Sequence, residues 1–163
     1  MPHLSSTFSA TVRISFLSIL IGSFAYAFIL QGPFQLNIPS QPNLSMPRQP
    51  YYPVGAVNYI EKHHLTGKLL TSFNWGEFLL WTLYPQCLVA IDGRYETVYP
   101  EKIVKEYFDF YYGRSNWRQF LEDYPPDMIL LPKSLKIYNL LRKDPGWRLS
   151  YEDPGCVLLL LIK

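Results

Sequence analysis

From Ile14 to Leu30 the chain reads ISFLSILIGSFAYAFIL, seventeen residues without a charge. A helix of this composition has no polar face, so it cannot pack as an ordinary amphipathic surface helix. With Gln31 and Gly32 it would rise roughly 28 Å, close to the roughly 30 Å hydrocarbon core of a bilayer. The run therefore predicts a transmembrane helix over 14–32, behind a short N-terminal tail over 1–13, and everything after it must fold without it. Arg13 stands at its start and the next charge is Arg48, an asymmetry that predicts a cytoplasmic N-terminus and an extracytoplasmic C-terminal domain. A cleaved signal peptide is the rival reading, because Ala25-Tyr26-Ala27 has the small-x-small form of a cleavage site. Phe28-Ile29-Leu30 would carry the apolar run beyond such a cut, which favours the retained helix. Both readings export the rest of the chain.

Proline then takes over. It occupies positions 33, 39, 42, 47, 50 and 53, with Gln, Asn and Ser between, a pattern that excludes a helix or a central strand and favours extended geometry. Residues 33–52 are expected to be a linker that spaces a folded domain, 53–163, from the bilayer.

Within that domain, apolar spacing alternates between helical and strand-like periods. Pro53 suits the first turn of a helix through His64, with Val54, Val57 and Ile60 on one face and Gly67 as its stop. Lys68–Phe73 reads as a strand, and Asn74 as the N-cap of a buried helix from Trp75 to about Leu83. Leu88–Ile91 is a second strand. Pro100 opens a helix whose stripe is Ile103, Val104, Tyr107, Phe108 and Tyr111. Glu101, Lys105 and Asp109 follow at four-residue spacing on its wet side. Ser115 is expected to cap a further helix carrying Trp117, Phe120, Leu121 and Tyr124.

Met128–Leu131 is a third strand, and Ser134 starts a helix to about Lys143. Trp147–Glu152 and Cys156–Ile162 bracket the turn residues Asp153-Pro154-Gly155, which predicts an antiparallel hairpin. The fold class expected is α/β: a three-layer sandwich with a short, mainly parallel sheet and a C-terminal antiparallel hairpin.

Composition narrows function by exclusion. A net charge of +2, with Arg142-Lys143 as the longest basic run, argues against nucleic acid as a partner, since binders of that class carry a clustered basic face. Cys87 and Cys156 are too few for a disulfide scaffold and lack metal-ligand spacing. Buried free thiols are expected, a single bridge being the alternative. The adjacent His63-His64 point about 100° apart on a helix and read as its exposed end, so no metal site is expected. Thirteen Tyr, ten Phe and four Trp exceed what a minimal core needs and suit burial against a partner or a membrane interface.

Phosphate-cradling and nucleophile motifs are missing. The first strand-to-helix turn, Ser72-Phe73-Asn74-Trp75-Gly76-Glu77, carries one glycine where a dinucleotide fold needs three, so no cofactor is expected. The sequence also lacks a P-loop, a G-x-S-x-G elbow and H-E-x-x-H. What remains is a polar cluster at the ends of the first two strands, the region where open α/β sheets bind ligands. Its members are Asn74, Glu77, Asp92 and Arg94, with Trp75 and Tyr95 as flat faces. The alternative is architectural: a helix cap at Asn74 and a tight turn at Asp92-Gly93-Arg94 closed by an ion pair. No catalytic residue is assigned.

Taken together, Asn74-Trp75-Gly76-Glu77-Phe78 with Trp81, Ile91-Asp92-Gly93-Arg94, Asp127 before a strand ending Leu131-Pro132, Asp144-Pro145-Gly146-Trp147 and Tyr151-Glu152-Asp153 form a familiar pattern. It resembles the C-terminal soluble tail of large polytopic bacterial membrane proteins, uncharacterised or glycosyltransferase-like of the lipid-linked-sugar, mannosyltransferase type. The resemblance covers Pro53 to the end and makes Ile14–Leu30 the last membrane span. It implies an accessory domain of a glycosyltransferase-like system, partnered by the bilayer and by a polytopic membrane subunit. Such proteins keep their catalytic acids between early membrane helices, which this chain lacks, so no catalytic position carries over. A truncated product or a detached tail domain is then implied. A small transferase using the Asp92–Arg94 crevice and a purely structural assembly module are the competing expectations.

Overall fold

Adjacent leucines in the first strand point to opposite sides, and this alternation organises the domain. The computed structural model of the chain describes residues 5–31, 38–41 and 51–162. It divides into two units, 1–37 and 38–163.

The first unit contains helix α1, Ser5–Gln31. Its described apolar side chains, among them Ile14, Phe16, Ile19, Leu20, Phe24 and Ile29, are all exposed. Among the described residues no helix is long and apolar enough to cross a membrane. The helix backbone reaches further toward the N-terminus than the sequence run, which begins at Ile14. Most of the expected linker lies outside the described residues, with one informative exception. Ile38 and Pro39 are half-buried and belong to the second unit, where the Tyr52 N–H donates to the Pro39 carbonyl at 2.7 Å. The linker is therefore anchored on the domain partway along.

The second unit is a mixed α/β fold. Its elements are α2 (Val54–Lys62), β1 (Gly67–Thr71), α3 (Gly76–Leu83), β2 (Cys87–Val89), α4 (Tyr95–Val98), α5 (Glu101–Tyr111), α6 (Trp117–Asp123), β3 (Met128–Pro132), α7 (Lys136–Leu141), β4 (Trp147–Glu152) and β5 (Cys156–Leu161). The strands form one sheet in the order β2-β1-β3-β5-β4. Leu69, Met128, Leu130, Cys156 and Leu158 face a core shared with α2 and α3, around Ala56, Ile60, Leu79 and Leu83. Leu70, Ile129, Leu131, Val157 and Leu159 face a second core with α5, α6 and α7, around Tyr107, Phe110, Phe120 and Ile137. Two cores on two faces of one sheet are the physical content of the layered arrangement.

The sheet is mixed, where a mainly parallel one was expected: β1 pairs in parallel with β2 and β3, while β5 runs antiparallel to β3 and β4. Burial explains the order. Four successive residues of β5 are buried, so that strand needs cover on both faces and inserts beside β3. β4 keeps exposed residues such as Arg148 and Leu149 and takes the edge. Cys87 and Cys156 are free and buried, as expected. Their strands lie three positions apart, about 14 Å at 4.8 Å per spacing, well beyond disulfide reach.

Several local expectations fail for identifiable reasons. Helix α2 ends with His64 in the left-handed region (φ 51°), while the Leu65 N–H closes back on the Ile60 carbonyl. Gly67 opens β1 at φ 127°, where an added Cβ would lie 2.6 Å from Asp127 Oδ2. Its glycine serves that close approach rather than the helix stop. Asn116, not Ser115, holds the position before α6, and it makes no side-chain cap bond. In α5 the deepest residues are Tyr107 and Phe110, with Ile103 and Tyr111 partly buried and Asp109 buried among them. The wet-side placement of Asp109 is thus corrected.

Candidate functional site

Past β1 the chain tightens into a 3-10 turn, Phe73–Trp75, closed by the Trp75 N–H on the Ser72 carbonyl at 2.9 Å. Asn74 sits inside that turn with its side chain exposed, and the residue preceding α3 is Trp75. The expected Asn74 cap is therefore not formed: neither turn has a side-chain cap bond. The competing local conformation wins because Trp75 is pulled into the core. Its indole N–H donates to the Tyr51 carbonyl at 2.8 Å, with the two rings edge to face at 5.6 Å. Tyr51 in turn donates its hydroxyl to the Gly155 carbonyl in the hairpin turn at 3.0 Å.

Gly76 is the contact point between the two strand ends. A Cβ there would lie 2.4 Å from Asp92 Cα and 2.5 Å from the Ile91 carbonyl oxygen, so only glycine lets α3 approach the exit of β2 this closely. Asp92 is buried, and both its oxygens are engaged. Oδ1 accepts the Arg94 N–H at 2.9 Å, and the guanidinium bonds to Oδ1 from Nε at 3.1 Å and to Oδ2 from Nη2 at 2.6 Å. These Arg94 bonds hold the Asp92 carboxyl below the usual range, against the upward push of burial, and raise Arg94. Glu77 lies against the same turn: a Cβ on Gly93 would meet its Oε1 at 2.5 Å.

The structure thus brings Glu77, Asp92 and Arg94 together and sends the aromatic members elsewhere. Trp75 faces the α2–α3 core. Tyr95 packs edge to face on Phe73 at 5.4 Å and on Phe108 at 5.3 Å, on the opposite side of the sheet.

The strand order also relocates the crevice. β1 connects to β2 through α3 on one face and β2 to β3 through α5 and α6 on the other. The switch point, where open sheets of this kind bind ligands, therefore lies between the ends of β1 and β3. Tyr107 occupies the β1 end of it. Fully buried, it donates its hydroxyl to the Thr71 carbonyl at 2.9 Å and accepts the Phe73 N–H at 2.9 Å. Burial raises its pKa well above the ordinary tyrosine value, so it stays a neutral bridge. Helical spacing identifies Tyr107 as a core residue, but nothing local in the sequence signals this hydroxyl bridge to positions 34 and 36 residues away.

Two grooves lie away from the polar cluster. One of about 380 Å³ runs between the free side of β2 and the α5–α6 pair, lined by Leu88, Ala90, Tyr99, Ile103, Phe120 and Tyr124. Another of about 300 Å³ separates α2 from α3, where Ile38 meets Val54, Val57, Phe78 and Trp81. Neither is lined by Asn74, Glu77, Asp92 or Arg94. Among the described residues no group of His, Cys, Asp or Glu is placed to hold a metal ion. Burial raises both thiols, Cys156 far above the ordinary range with Asp153 adding to the effect, which suits packing and not nucleophilic chemistry. No family model, no curated protein and no solved structure matches the chain.

Proposed function

We propose that this chain is a membrane-anchored accessory domain, held on the extracytoplasmic side by Ile14–Leu30 and acting with a polytopic, glycosyltransferase-like membrane subunit. The observation that carries the reading is α1: its described apolar side chains, from Val12 to Tyr26 and at Ile29, are exposed all around the helix. Water opposes such a surface and a bilayer accepts it. The sequence run continues to Leu30, past the described side chains, to a length that spans. The resemblance of 53–163 to the soluble tails of such membrane proteins supplies the class of partner. A small transferase at Asp92 has less support, because Arg94 already occupies both carboxylate oxygens.

Fractionation and co-purification test the reading. The full chain should stay with membranes through a carbonate wash, its C-terminus cut by protease added from the extracytoplasmic side, and a polytopic protein should follow it in mild detergent. Release by carbonate, or a soluble product starting at Phe28, would overturn the anchor. Retention without any multi-span companion would leave an anchored module and remove the accessory role.

A further inference from the structure

Where α2 meets α3, the fold buries one set of side chains and leaves another without partners. Helix α2 buries Ala56, Val57 and Ile60, and α3 buries Gly76, Leu79 and Leu83. Asn58 and Glu61 stand three residues apart on α2 and line the groove of about 300 Å³ together with Phe78 and Trp81, at the same spacing on α3. Trp81 is 77% exposed. Among the described residues, neither its indole nor the side chains of Asn58 and Glu61 have a hydrogen bond, ion pair or ring contact. A second hollow, of about 270 Å³, continues from Glu61 past the end of α2 to His64, Thr66 and Gln86, over the buried Ile60 and Leu83. Glu61 lines both hollows, so they adjoin there.

These groups select among ligands. No Lys or Arg lines either hollow and the Glu61 carboxylate repels an anion, which disfavours a phosphate or a nucleotide. A purely apolar ligand would strip water from Asn58, Glu61 and Gln86 and offer them no hydrogen bond. A sugar ring matches every group. Its C–H face stacks on an aromatic ring, whose electron-rich centre attracts those C–H groups. Its edge hydroxyls donate to a carboxylate and both donate to and accept from an amide.

We infer that the seam between α2 and α3 is a saccharide-binding site. Trp81 is the stacking platform, Asn58 and Glu61 are the hydroxyl partners in the first hollow, and His64 and Gln86 are those in the second. Two hollows that adjoin at one carboxylate take two consecutive sugar residues, so the ligand is a disaccharide or a segment of a longer glycan. The role is binding and not cleavage. Glycoside hydrolysis takes a pair of carboxyl groups, and Glu61 supplies the only one lining either hollow. The site lies wholly within the 38–163 unit, so it stands whether or not the chain is anchored in a membrane.

The test uses the full chain in a polyoxyethylene detergent, which contains no sugar. Maltose, cellobiose, lactose, chitobiose and mannobiose are titrated in turn, with saturation-transfer NMR reading the bound sugar's own protons. At least one should bind with a Kd on the order of 1 mM or tighter. Trp81→Ala and Glu61→Gln should each weaken it roughly tenfold, the equivalent of one stacked ring or one charge-assisted bond. Trp81→Phe keeps a flat face and should lose less. Both positions are exposed, so the variants should melt with the parent, and two separate positions keep the test alive if one variant fails to fold. No binding by any of these sugars would overturn the assignment, as would binding that the variants leave unchanged. Capture of choline in place of sugar, lost in the same variants, would give the seam to an organic cation and overturn it too. Membrane retention should match the parent in every variant, so a failure here would leave the anchor reading intact.

Discussion

Asp92 and Asp109 are each 3% exposed, yet they reach burial by different routes. Asp92 follows β2 and is satisfied by its near neighbour Arg94, within a turn of three residues. Asp109 lies in α5 and gathers Lys105 at 2.8 Å, Arg114 at 2.7 Å and Asn116 at 3.0 Å, tying the helix to the loop that leads into α6. Those polar groups cover the Asp109 carboxylate. Lys105, Arg114 and Arg94 each stay more than half exposed, so every cation keeps its head in water. The pair teaches that a buried carboxylate at a strand end does not by itself mark a ligand site. What matters is whether its oxygens are free, and in both cases they are engaged.

The largest effect should come from Gly76→Ala. The added carbon meets backbone at 2.4 Å, which no side-chain rotation relieves, and overpacking of this kind costs about 3 kcal/mol at the upper end of its range. Urea unfolding would measure it; a loss under about 0.5 kcal/mol would mean that the Asp92 turn yields easily and is not the rigid partner of α3. Asp109→Ala should come next, at about 2 kcal/mol, since three bonds to one carboxylate are lost but the cations return to water. Asp92→Ala should cost about 1 kcal/mol, one cation and one turn N–H being released. A reversed order of these two would undo the distinction between clasp and turn.

Acid should sharpen the same contrast. Bonds from Lys105, Arg114 and Asn116 hold the Asp109 carboxyl far below the ordinary value, and those from Arg94 lower Asp92 less. An unfolded aspartate titrates near about 3.9, so below that pH the unfolded chain binds more protons than the folded one. The stability each group contributes is therefore present above about pH 4 and is lost as pH falls toward its folded value. Melting temperature plotted against pH between about 4 and 2 should fall less steeply in Asp109→Asn than in the parent, with Asp92→Asn intermediate. Matching slopes in all three would show that neither pair is formed in solution.

The smallest effect belongs to Asn74→Ala. As a true helix cap it would cost about 0.5–2 kcal/mol. Exposed inside the 3-10 turn and capping nothing, it should stay within about 0.5 kcal/mol of the parent in thermal melts. A larger loss would restore the cap and move the start of α3 back to Trp75.

Much of the domain was legible before any coordinates. The apolar runs Leu88–Ile91 and Met128–Leu131 and the Asp153-Pro154-Gly155 turn place strands and hairpin within one or two residues of β2, β3, β4 and β5. The candidate site was legible only in part. Asp92-Gly93-Arg94 reads correctly as a turn because its chemistry is local. Asn74 and Ser115 misled because a good capping residue one position from a helix start is indistinguishable from a cap until the helix's first turn is known. Gly67 misled in the same way, since glycine answers a left-handed helix end and a close backbone approach equally well.

By itself the sequence determined the periods: where apolar residues recur at three and four, where they run unbroken, and where proline forbids either. These depend on neighbours within a few positions, whose geometry is set by the backbone. The tertiary structure alone decided that β5 enters the sheet beside β3, that Tyr107 bridges the end of β1, and that Trp75 faces inward while Trp81 faces out. Those outcomes join groups 24 to 36 residues apart. Burial energy and hydrogen-bond satisfaction act on distance in space, and only the folded chain brings such groups within range.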